Sequence, residues 1–457
     1  MADSKRFEAY LDRMIAEYRI PGIAVSVTSR NGDVLYETFK GYRSVEDQLP
    51  VTQDTIFGMA SLTKSFTAIC TLQLHERGVI DINKPIADYF PEIEDRRILV
   101  WHLLSHCAGF YPIKRLLMSD VASEMGIFAD GTVELAFSKE LAEEGRRRIV
   151  STFNSEAQRL GSPGEILSYC NDGFGILSEL IRVYGDKPSY AEYVRAHVLE
   201  PLGMRRSGCE FLKPFTDENC ATLYYTKGQE RMHCRDFYDS AFVLNGGGAM
   251  RSTISDMRRY LHALMNQETL LSGPGYELLK RPRVAYTYGS QYAAGLAVAR
   301  VGNDRLLMHS GGLTGVSSYL AWLESAGIGV LVFCNLTGVP VKAAAHAALT
   351  TFADVPLWPE GEHRAPEPAV AVSDDIIGVY SSRESSLILE ICRKENGAVG
   401  MKAGETEYDC FLLEPDAIII RNALYDSDAV IVRKDGNVLG VRYGGRVYWK
   451  EGKNPRA

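Results

Sequence analysis

The stretch GIAVSVTSRNGDVLYETF, residues 22–39, predicts a β-hairpin. Its two alternating apolar runs meet at Asn31-Gly32, a residue pair that suits the positive φ angles of a tight hairpin turn. Far along the chain, SYLAWLE and IGVLVFCN predict a second strand pair that turns around residues 325–327, and an Ala-rich helix follows over residues 341–352. Mostly helical patterns lie between the two pairs. We therefore predict an α+β domain with one antiparallel sheet built from both ends, flanked by helices and interrupted by a helical region.

The pattern changes after residue 355, which predicts a second domain. Residues 356–368, PLWPEGEHRAPEP, contain four prolines and several charges without periodicity, so we predict a linker over residues 356–369. From residue 370 to residue 457, eight short alternating runs such as SLILEICRK and AVIVRKD are separated by turn residues. These runs predict a small antiparallel β-barrel or sandwich. We predict that residues 1–355 form the first domain.

The composition excludes several classes of protein and partner. Hydrophobic residues make up 46% of the 457 residues and charged residues 24%, which excludes disordered, collagen-like and coiled-coil classes. The net charge of −8 disfavours nucleic acid as a partner.

Three features predict a cytoplasmic protein with no membrane partner. The start, MADSKRFEAYLDRM, carries charges throughout and has no apolar core of a signal peptide. The most apolar later stretch, residues 328–334, is far shorter than the ~20 residues that a membrane span needs. The nine cysteines include no C-x-x-C pair, and several lie in apolar runs where buried, reduced thiols are expected.

Ser61 and Lys64 stand three residues apart at the start of the helical pattern SLTKSFTAICTLQLHERG. That spacing puts the two side chains on one helix face with β-carbons about 5–6 Å apart, so the amine can reach the hydroxyl. The unpaired amides of a helix start add an N–H that can stabilise an oxyanion. For Lys64 to act as a base, burial or nearby positive charge must lower its pKa from about 10.4. The alternative is a solvated helix start, with Ser61 as a cap and Lys64 exposed.

Two further segments place polar groups where they could act on the same substrate. In PGEILSYCND, residues 163–172, Tyr169 and Asn171 stand two apart, so in an extended loop a phenol and an amide face the same way. We expect Asp172 to cap the helix that follows. In HSGG, residues 309–312, the glycines let backbone N–H groups approach a substrate carbonyl.

Three segments, SLTK, YCN and HSG, occur in this order and resemble the motifs S-x-x-K, Y-x-N and K-T-G or H-x-G of the serine β-lactamase and penicillin-binding-protein superfamily. The tyrosine of the second motif makes the resemblance closest to class C β-lactamases, D-aminopeptidases, DD-peptidases and family VIII esterases. The similarity covers about residues 5–350 and includes connecting segments such as WHLLSHCAGF. It implies a β-lactamase/DD-peptidase-like fold, and the C-terminal runs resemble the lipocalin-like barrels of some relatives.

The resemblance implies roles for the residues of the first two motifs. Ser61 would be the acylated nucleophile. Lys64 and Tyr169 would share the general-base work, first on Ser61 and later on the deacylating water or another acceptor. Asn171 would orient the substrate amide and the Lys64 amine.

The third motif departs from the pattern of the β-lactamases. By the resemblance, His309 takes the place of the lysine in K-T-G, Ser310 that of the threonine, and Gly311 completes the motif. The amides of Ser61 and Gly312 would form the oxyanion hole. A histidine at 309 removes the permanent cation that receives the carboxylate of a β-lactam, which disfavours penicillin hydrolysis and favours esterase or D-aminopeptidase relatives.

We therefore predict a serine hydrolase that acts through an acyl-Ser61 intermediate on a small amide, peptide or ester, with a D-residue peptide slightly favoured. The alternatives are a carboxylesterase, a peptide cyclase that passes the acyl group to an amine, and a non-catalytic binder or scaffold with the same fold. The expected partner is a small-molecule or short-peptide substrate. The role of the C-terminal barrel and assembly into a homo-oligomer stay open.

Neither a cofactor nor a metal is expected. His102 and His106 stand four apart on a helical pattern, but the sequence offers no acidic third ligand at a recognised spacing. We therefore favour structural or helix-capping roles for both.

Overall fold

A computed structural model describes most of the chain. It covers residues 2–113, 121, 124–125, 139–156, 159–209, 217–228, 230–234, 244–355, 357, 370–382, 385–421 and 425–452. Most of the predicted linker, residues 356–369, lies outside these ranges, and the predicted domain boundaries stay a prediction. In the part of the chain that is described, no helix is both long and apolar enough to cross a membrane.

The described α-helices are Ala2–Tyr18, Thr63–Glu76, Val100–Leu104, Lys139–Phe153, Asn171–Tyr184, Tyr190–Val194, Ile254–Asn266, Gly273–Lys280 and Val341–Ala353. Single turns of 3₁₀-helix occupy Ala60–Leu62, Ile86–Asp88, Asn245–Gly247 and Asp374–Ile376, and a π-helical turn occupies Arg195–Leu199.

The strands before residue 355 are β1 Gly22–Ser29, β2 Val34–Ser44, β3 Leu49–Pro50, β4 Phe57–Gly58, β5 Leu223–Lys227, β6 Glu230–Cys234, β7 Arg251–Ser252, β8 Val284–Ala285, β9 Ser290–Tyr292, β10 Ala297–Val301, β11 Asp304–Leu313, β12 Val316–Leu323 and β13 Ile328–Cys334. Those after it are β14 Gly378–Ser382, β15 Ser385–Arg393, β16 Val399–Ala403, β17 Thr406–Glu414, β18 Ala417–Arg421, β19 Asp426–Lys434, β20 Asn437–Tyr443 and β21 Arg446–Lys450.

One antiparallel sheet of nine strands dominates the first part of the chain, in the order β3-β2-β1-β13-β12-β11-β10-β9-β8. The predicted hairpin is present as β1 and β2, and Gly32 in its turn has a φ of +90°. β1 pairs along its whole length with β13, so Val25 lies opposite Val332. The prediction of an antiparallel sheet built from both ends of this segment is confirmed.

The sheet is wider than the predicted strand pairs. Strands β8 to β10 extend it beyond β11. β8 and β9 are only two and three residues long, and they are separated by the turn Thr287–Gly289. Such short runs carry too few alternations to reveal a strand.

Helices cover both faces of the sheet centre. Neighbouring residues of β13 point to opposite faces: Leu331 and Phe333 pack with the cluster that contains Phe66, whereas Val330 and Val332 pack with the cluster that contains Leu349. Because both faces are covered, β12 is buried at every residue and β13 at all but its first, instead of in alternation. The helix Thr63–Glu76 thereby packs on the sheet through Phe66, and the 3₁₀ turn Ala60–Leu62 before it contacts β11 and β12.

The eight C-terminal strands close into an antiparallel barrel, β14 to β21, as the sequence predicts. Its own core contains apolar residues from all eight strands, among them Ile391, Ile420 and Val441. Two residues of β21, Val447 and Trp449, instead pack outside this core against Tyr111 and Leu160 of the first domain.

Candidate active site

Ser61 lies in the 3₁₀ turn Ala60–Leu62, directly before the helix Thr63–Glu76. The preceding Ala60 has a φ of +45°, a left-handed conformation that is costly for a residue with a β-carbon. The Thr63 hydroxyl holds this turn, because it donates to the Ala60 carbonyl at 2.6 Å and accepts from the Met250 amide at 2.9 Å. The strained turn therefore presents Ser61 at a helix start in one fixed orientation.

Lys64 is fully buried beneath Ser61. Its Nζ donates to the Ser61 Oγ at 3.1 Å, to the Asn171 Oδ1 at 2.7 Å and to the Gly247 carbonyl at 2.7 Å. Burial, with a smaller contribution from the Arg446 charge, lowers the pKa of Lys64 to about 7. An amine with this pKa is largely neutral at slightly alkaline pH, so it can accept a proton from the neighbouring hydroxyl.

Tyr169 also contacts Ser61 and shares a hydrogen bond with its side chain. The Lys64 Nζ lies 4.8 Å from the centroid of the Tyr169 ring. The centroid of the His106 ring lies 4.1 Å from the centroid of the same tyrosine ring. Burial raises the pKa of the Tyr169 phenol well above its usual range. Tyr169 is therefore a neutral phenol, which can pass a proton on but does not hold a negative charge.

Asn171 begins the helix Asn171–Tyr184, and its side chain reaches Lys64 as described. Gly247 lies against it, since a β-carbon on Gly247 would come within 3.4 Å of the Asn171 Oδ1. The neighbouring Gly246 carbonyl accepts a hydrogen bond from Thr67 Oγ1 at 2.7 Å. The backbone of the Asn245–Gly247 turn thus helps to fix the position of the Lys64 amine.

His309 is buried in β11 and neutral. Its Nδ1 lies 2.6 Å from the Ser310 carbonyl, which can only accept, so Nδ1 carries the proton and Nε2 accepts from the Tyr292 hydroxyl at 2.7 Å. Burial, with a smaller contribution from the Lys64 charge, lowers the pKa of His309 to about 3. His309 consequently supplies no positive charge, in agreement with the departure noted from the sequence.

The glycines after His309 differ in what they permit. A β-carbon on Gly311 would lie 2.2 Å from the Ser318 Oγ and 2.3 Å from the Met59 carbonyl, so only glycine fits there. Ser318 donates to that same carbonyl at 2.7 Å, which ties β12 to the residues before Ser61. Gly312 has open space where a β-carbon would be, and Ser310 is exposed. The strand end therefore packs tightly on the Ser61 turn but stays open towards solvent.

The structure brings all the residues of the three motifs to one place. It also adds residues that the sequence did not single out for this site: Gly247 on Lys64, Tyr292 on His309, and Gly445 of the C-terminal barrel, whose carbonyl accepts from the Tyr169 amide at 3.2 Å. The segment around Gly247 carried a signal through its run of three glycines. Tyr292 and Gly445 carried none: the first contact depends on how β9 and β11 lie in the sheet, and the second joins distant parts of the chain.

The expected cap at Asp172 is wrong. Asp172 lies inside the first turn of the helix, and its carboxylate accepts instead from the Ile113 amide at 2.7 Å. Burial raises the pKa of this carboxyl to about 6. The side chain ties the loop after Phe110 to the base of the site.

The two histidines of WHLLSHCAGF each accept a backbone hydrogen bond. His102 Nδ1 accepts from the Leu99 amide at 2.9 Å at the start of its helix, and His106 Nδ1 accepts from the Cys170 amide at 3.1 Å. These bonds give both residues structural roles. Within the described ranges, no cluster of three or more His, Cys, Asp or Glu side chains has the arrangement of a metal site.

Comparisons with known proteins agree with the motifs. The family model described as Beta-lactamase matches residues 7–354. A D-aminopeptidase of Gluconobacter oxydans is 26% identical over 402 residues, which cover 86% of this chain and 69% of that protein. Esterase EstB of Burkholderia gladioli is 29% identical over 253 residues, which cover 54% of this chain and 61% of the esterase.

Among solved structures, the octameric penicillin-binding protein homologue from Pyrococcus abyssi is 25% identical, with a TM-score of 0.68 over 98% of this chain and 99% of that one. The match includes the C-terminal barrel, because it extends over nearly the whole of both chains. The resemblance drawn from the three motifs is confirmed. The chain belongs to the Beta-lactamase family, a family of serine hydrolases.

Proposed function

We propose that this chain hydrolyses a small amide or peptide bond through an acyl-Ser61 intermediate, with Lys64 as the general base. The observation that carries the proposal is the buried Lys64 amine, 3.1 Å from the Ser61 Oγ and held by two acceptors. A lysine whose pKa is near 7 is neutral often enough to take a proton at physiological pH.

Acylation begins when Lys64 accepts the Ser61 proton while Oγ bonds to the substrate carbonyl carbon. The electron pair of the carbonyl moves onto its oxygen, and the amides of Ser61 and Gly312 hold this oxyanion. When the tetrahedral intermediate collapses, the bond to the leaving nitrogen or oxygen breaks. The leaving group takes the proton that Lys64 had accepted, relayed through the Tyr169 hydroxyl.

Deacylation repeats these steps with water. Water gives a proton to Lys64 as its oxygen attacks the acyl carbon, and Ser61 leaves and recovers a proton. Because its pKa is raised, Tyr169 acts as a proton relay rather than as a phenolate base. In this proposal Lys64 alone is the general base, whereas the resemblance implies that Lys64 and Tyr169 share that role.

A peptide-like substrate with a D-residue is supported by the similarity to the D-aminopeptidase of Gluconobacter oxydans. The similarity to esterase EstB supports carboxylesterase activity as a second candidate. Because His309 is neutral, a β-lactam substrate is disfavoured. If the acyl group passes to an amine instead of water, the chain is a peptide cyclase. Assembly into a homo-oligomer is supported by the octameric relative, and the cytoplasmic location stays a prediction.

The test compares the wild type with Ser61→Ala on D- and L-aminoacyl nitroanilides, short nitrophenyl esters and a chromogenic cephalosporin. Ser325→Ala, in the exposed β12–β13 turn, is the matched control. We expect turnover of a D-aminoacyl amide that Ser61→Ala loses and Ser325→Ala keeps, and a mass increase on Ser61 by one acyl group. Equal turnover by Ser61→Ala would refute the proposal. A stable acyl-Ser61 without turnover would instead identify a binder, and more product in the presence of added amine would identify an acyl transferase.

A further inference from the structure

The hairpin between β20 and β21 of the C-terminal barrel reaches the candidate active site. Tyr443 and Arg446 pair across it, and the two residues between them, Gly444 and Gly445, have φ of +58° and +77°. Two successive residues with positive φ make the tight turn that joins twisted strands. The tip of this turn contacts Tyr169 directly, through the hydrogen bond from the Tyr169 amide to the Gly445 carbonyl at 3.2 Å.

The hairpin is fixed against the first domain on both sides of this tip. After the tip, Val447 and Trp449 are buried against Tyr111, and the Trp449 indole donates to the Tyr111 hydroxyl. Before the tip, the Arg442 guanidinium donates to the Tyr286 carbonyl at 3.0 Å. The position of the hairpin beside Ser61 is therefore set by packing and by hydrogen bonds at three places.

Further bonds join the barrel to the segment before β9. The Tyr288 amide donates to Asp428 Oδ2 at 2.9 Å, and the Tyr288 hydroxyl donates to Glu414 Oε1 at 2.8 Å. A β-carbon on Gly445 would lie 3.1 Å from the Tyr286 ring and 3.5 Å from the Tyr169 β-carbon. The barrel thus forms a wall of the site at atomic contact distance.

Arg446 carries a positive charge from this wall into the site. Burial is the main cause of the shifted pKa values of Lys64, Tyr169 and Asp172, and the Arg446 charge lowers the pKa of all three. Its side chain is half-buried, and it follows Gly445, whose carbonyl accepts the hydrogen bond from the Tyr169 amide. Arg446 therefore lies near the reacting groups and keeps part of its side chain exposed.

The third motif of this chain supplies no positive charge to the site, and Arg446 can supply one. In the K-T-G form of the motif a lysine receives a carboxylate, whereas His309 here is buried, neutral and bonded to Tyr292 and the Ser310 carbonyl. A guanidinium is always charged and can bind both oxygens of a carboxylate at once.

We propose that Arg446 of the C-terminal barrel is the substrate-binding cation of this site and binds a free carboxylate of the substrate beside Ser61. The proposal rests on the proposed function and narrows its substrate class to short peptides or amides with a free carboxylate. The barrel is then part of the active site rather than an appended domain. No covalent step is involved, since Arg446 supplies only charge and hydrogen-bond donors.

The turnover test uses pairs of substrates that differ only in charge. D-Alanyl-glycine is compared with its C-terminal amide, and the 3-carboxyphenyl ester of D-alanine with the phenyl ester. We expect Arg446→Met to lower the acid-to-neutral ratio of kcat/KM at least tenfold, mainly through KM, and Arg446→Lys to restore part of it. Lys434→Met, at the exposed last residue of β19, is the control for loss of a barrel cation. An unchanged ratio in Arg446→Met overturns the proposal.

A binding test separates this proposal from the proposed function. Titration calorimetry of D-alanyl-glycine and its amide into Ser61→Ala and into Ser61→Ala/Arg446→Met needs no turnover. We expect the single variant to prefer the acid at least tenfold and the double variant to lose that preference. Such a result in an enzyme without turnover would support the carboxylate site and refute only the catalytic proposal. An equal or undetectable preference for the acid in Ser61→Ala overturns the role of Arg446, whatever the catalytic result.

Discussion

The two walls of the site are built in opposite ways. The inner wall consists of Lys64, Asn171 and the Gly247 carbonyl, which are joined by short hydrogen bonds within the core of the first domain. The outer wall is the Tyr443–Arg446 turn, which belongs to a separate barrel and meets the first domain through a surface contact. The inner wall sets the protonation of the reacting groups. The outer wall, by our proposal, selects the substrate, so chemistry and specificity depend on different domains.

Removing the inner base should have the largest effect. We expect Lys64→Met to lower kcat/KM about 10³-fold or more on acid and neutral substrates alike, because Tyr169, which also bonds Ser61, is a neutral phenol and a poor base. The contrast with Arg446→Met, which should act mainly on acid substrates, is measured by steady-state kinetics on the same substrate pairs. Circular dichroism and thermal unfolding show whether the buried methionine is tolerated. Comparable losses in both variants on neutral substrates would contradict a division of roles between the walls.

The buried carboxyl of Asp172 should make the inner wall sensitive to pH. Its pKa is raised to about 6 in the folded protein, against about 3.9 in an unfolded chain. The unfolded state therefore loses its proton first, and stability should fall as pH rises from about 4 to about 6, by roughly 2–3 kcal/mol. Asp172→Asn keeps an acceptor for the Ile113 amide but cannot titrate, so the free energy of unfolding should lose this decline.

Urea denaturation of the wild type and Asp172→Asn at pH 4.5, 5, 6 and 7 measures the difference. Asp186→Asn is the control, because that carboxylate is exposed and its pKa is lowered by His197. Parallel stability curves for the wild type and Asp172→Asn would show that Asp172 keeps its ordinary pKa.

The pH profile should reveal how the outer wall acts on the inner base. Lys64 works when neutral and its pKa is about 7, so kcat/KM should fall about tenfold per pH unit below pH 7. Arg446 lowers the pKa of Lys64, and Arg446→Met should therefore move this acidic limb to higher pH. Rates on a neutral substrate between pH 5 and 9 measure the acidic limb of the wild type and of Arg446→Met. If the limb lies at the same pH in both proteins, the Arg446 charge does not affect the pKa of Lys64.

A small change at the hairpin tip should have the smallest effect. Alanine is strained at both Gly444 and Gly445 because both have positive φ, but only at Gly445 would its β-carbon meet Tyr286, at 3.1 Å. We expect Gly445→Ala to lower kcat/KM on acid substrates severalfold. Gly444→Ala, which has no neighbour within 4 Å, shares the backbone strain and should lose less. Equal losses would mean that strain in the turn, and not its contact with the first domain, determines activity.

Local pattern was enough to predict much of this molecule. Asn31-Gly32 marked the first hairpin, alternation marked the barrel strands, and the spacing of Ser61 and Lys64 placed both at one helix start. The contacts that complete the site were not predictable in this way. Gly445 meets Tyr169 only because one folded domain docks on another, and no local periodicity encodes such a surface. Asp172 was misplaced for a related reason, since its partner Ile113 belongs to a loop far away in sequence.

The pairing of β1 with β13 has a consequence for how the chain is made. Ile23 cannot meet Cys334 until more than three hundred intervening residues have left the ribosome. Until then β1, an apolar strand destined for the middle of the sheet, has only β2 beside it and an open edge on its other side. Contacts this distant in sequence slow folding and prolong the exposure of such edges. During synthesis, protection of the first hairpin from aggregation must therefore come from outside the chain or from temporary partners within it.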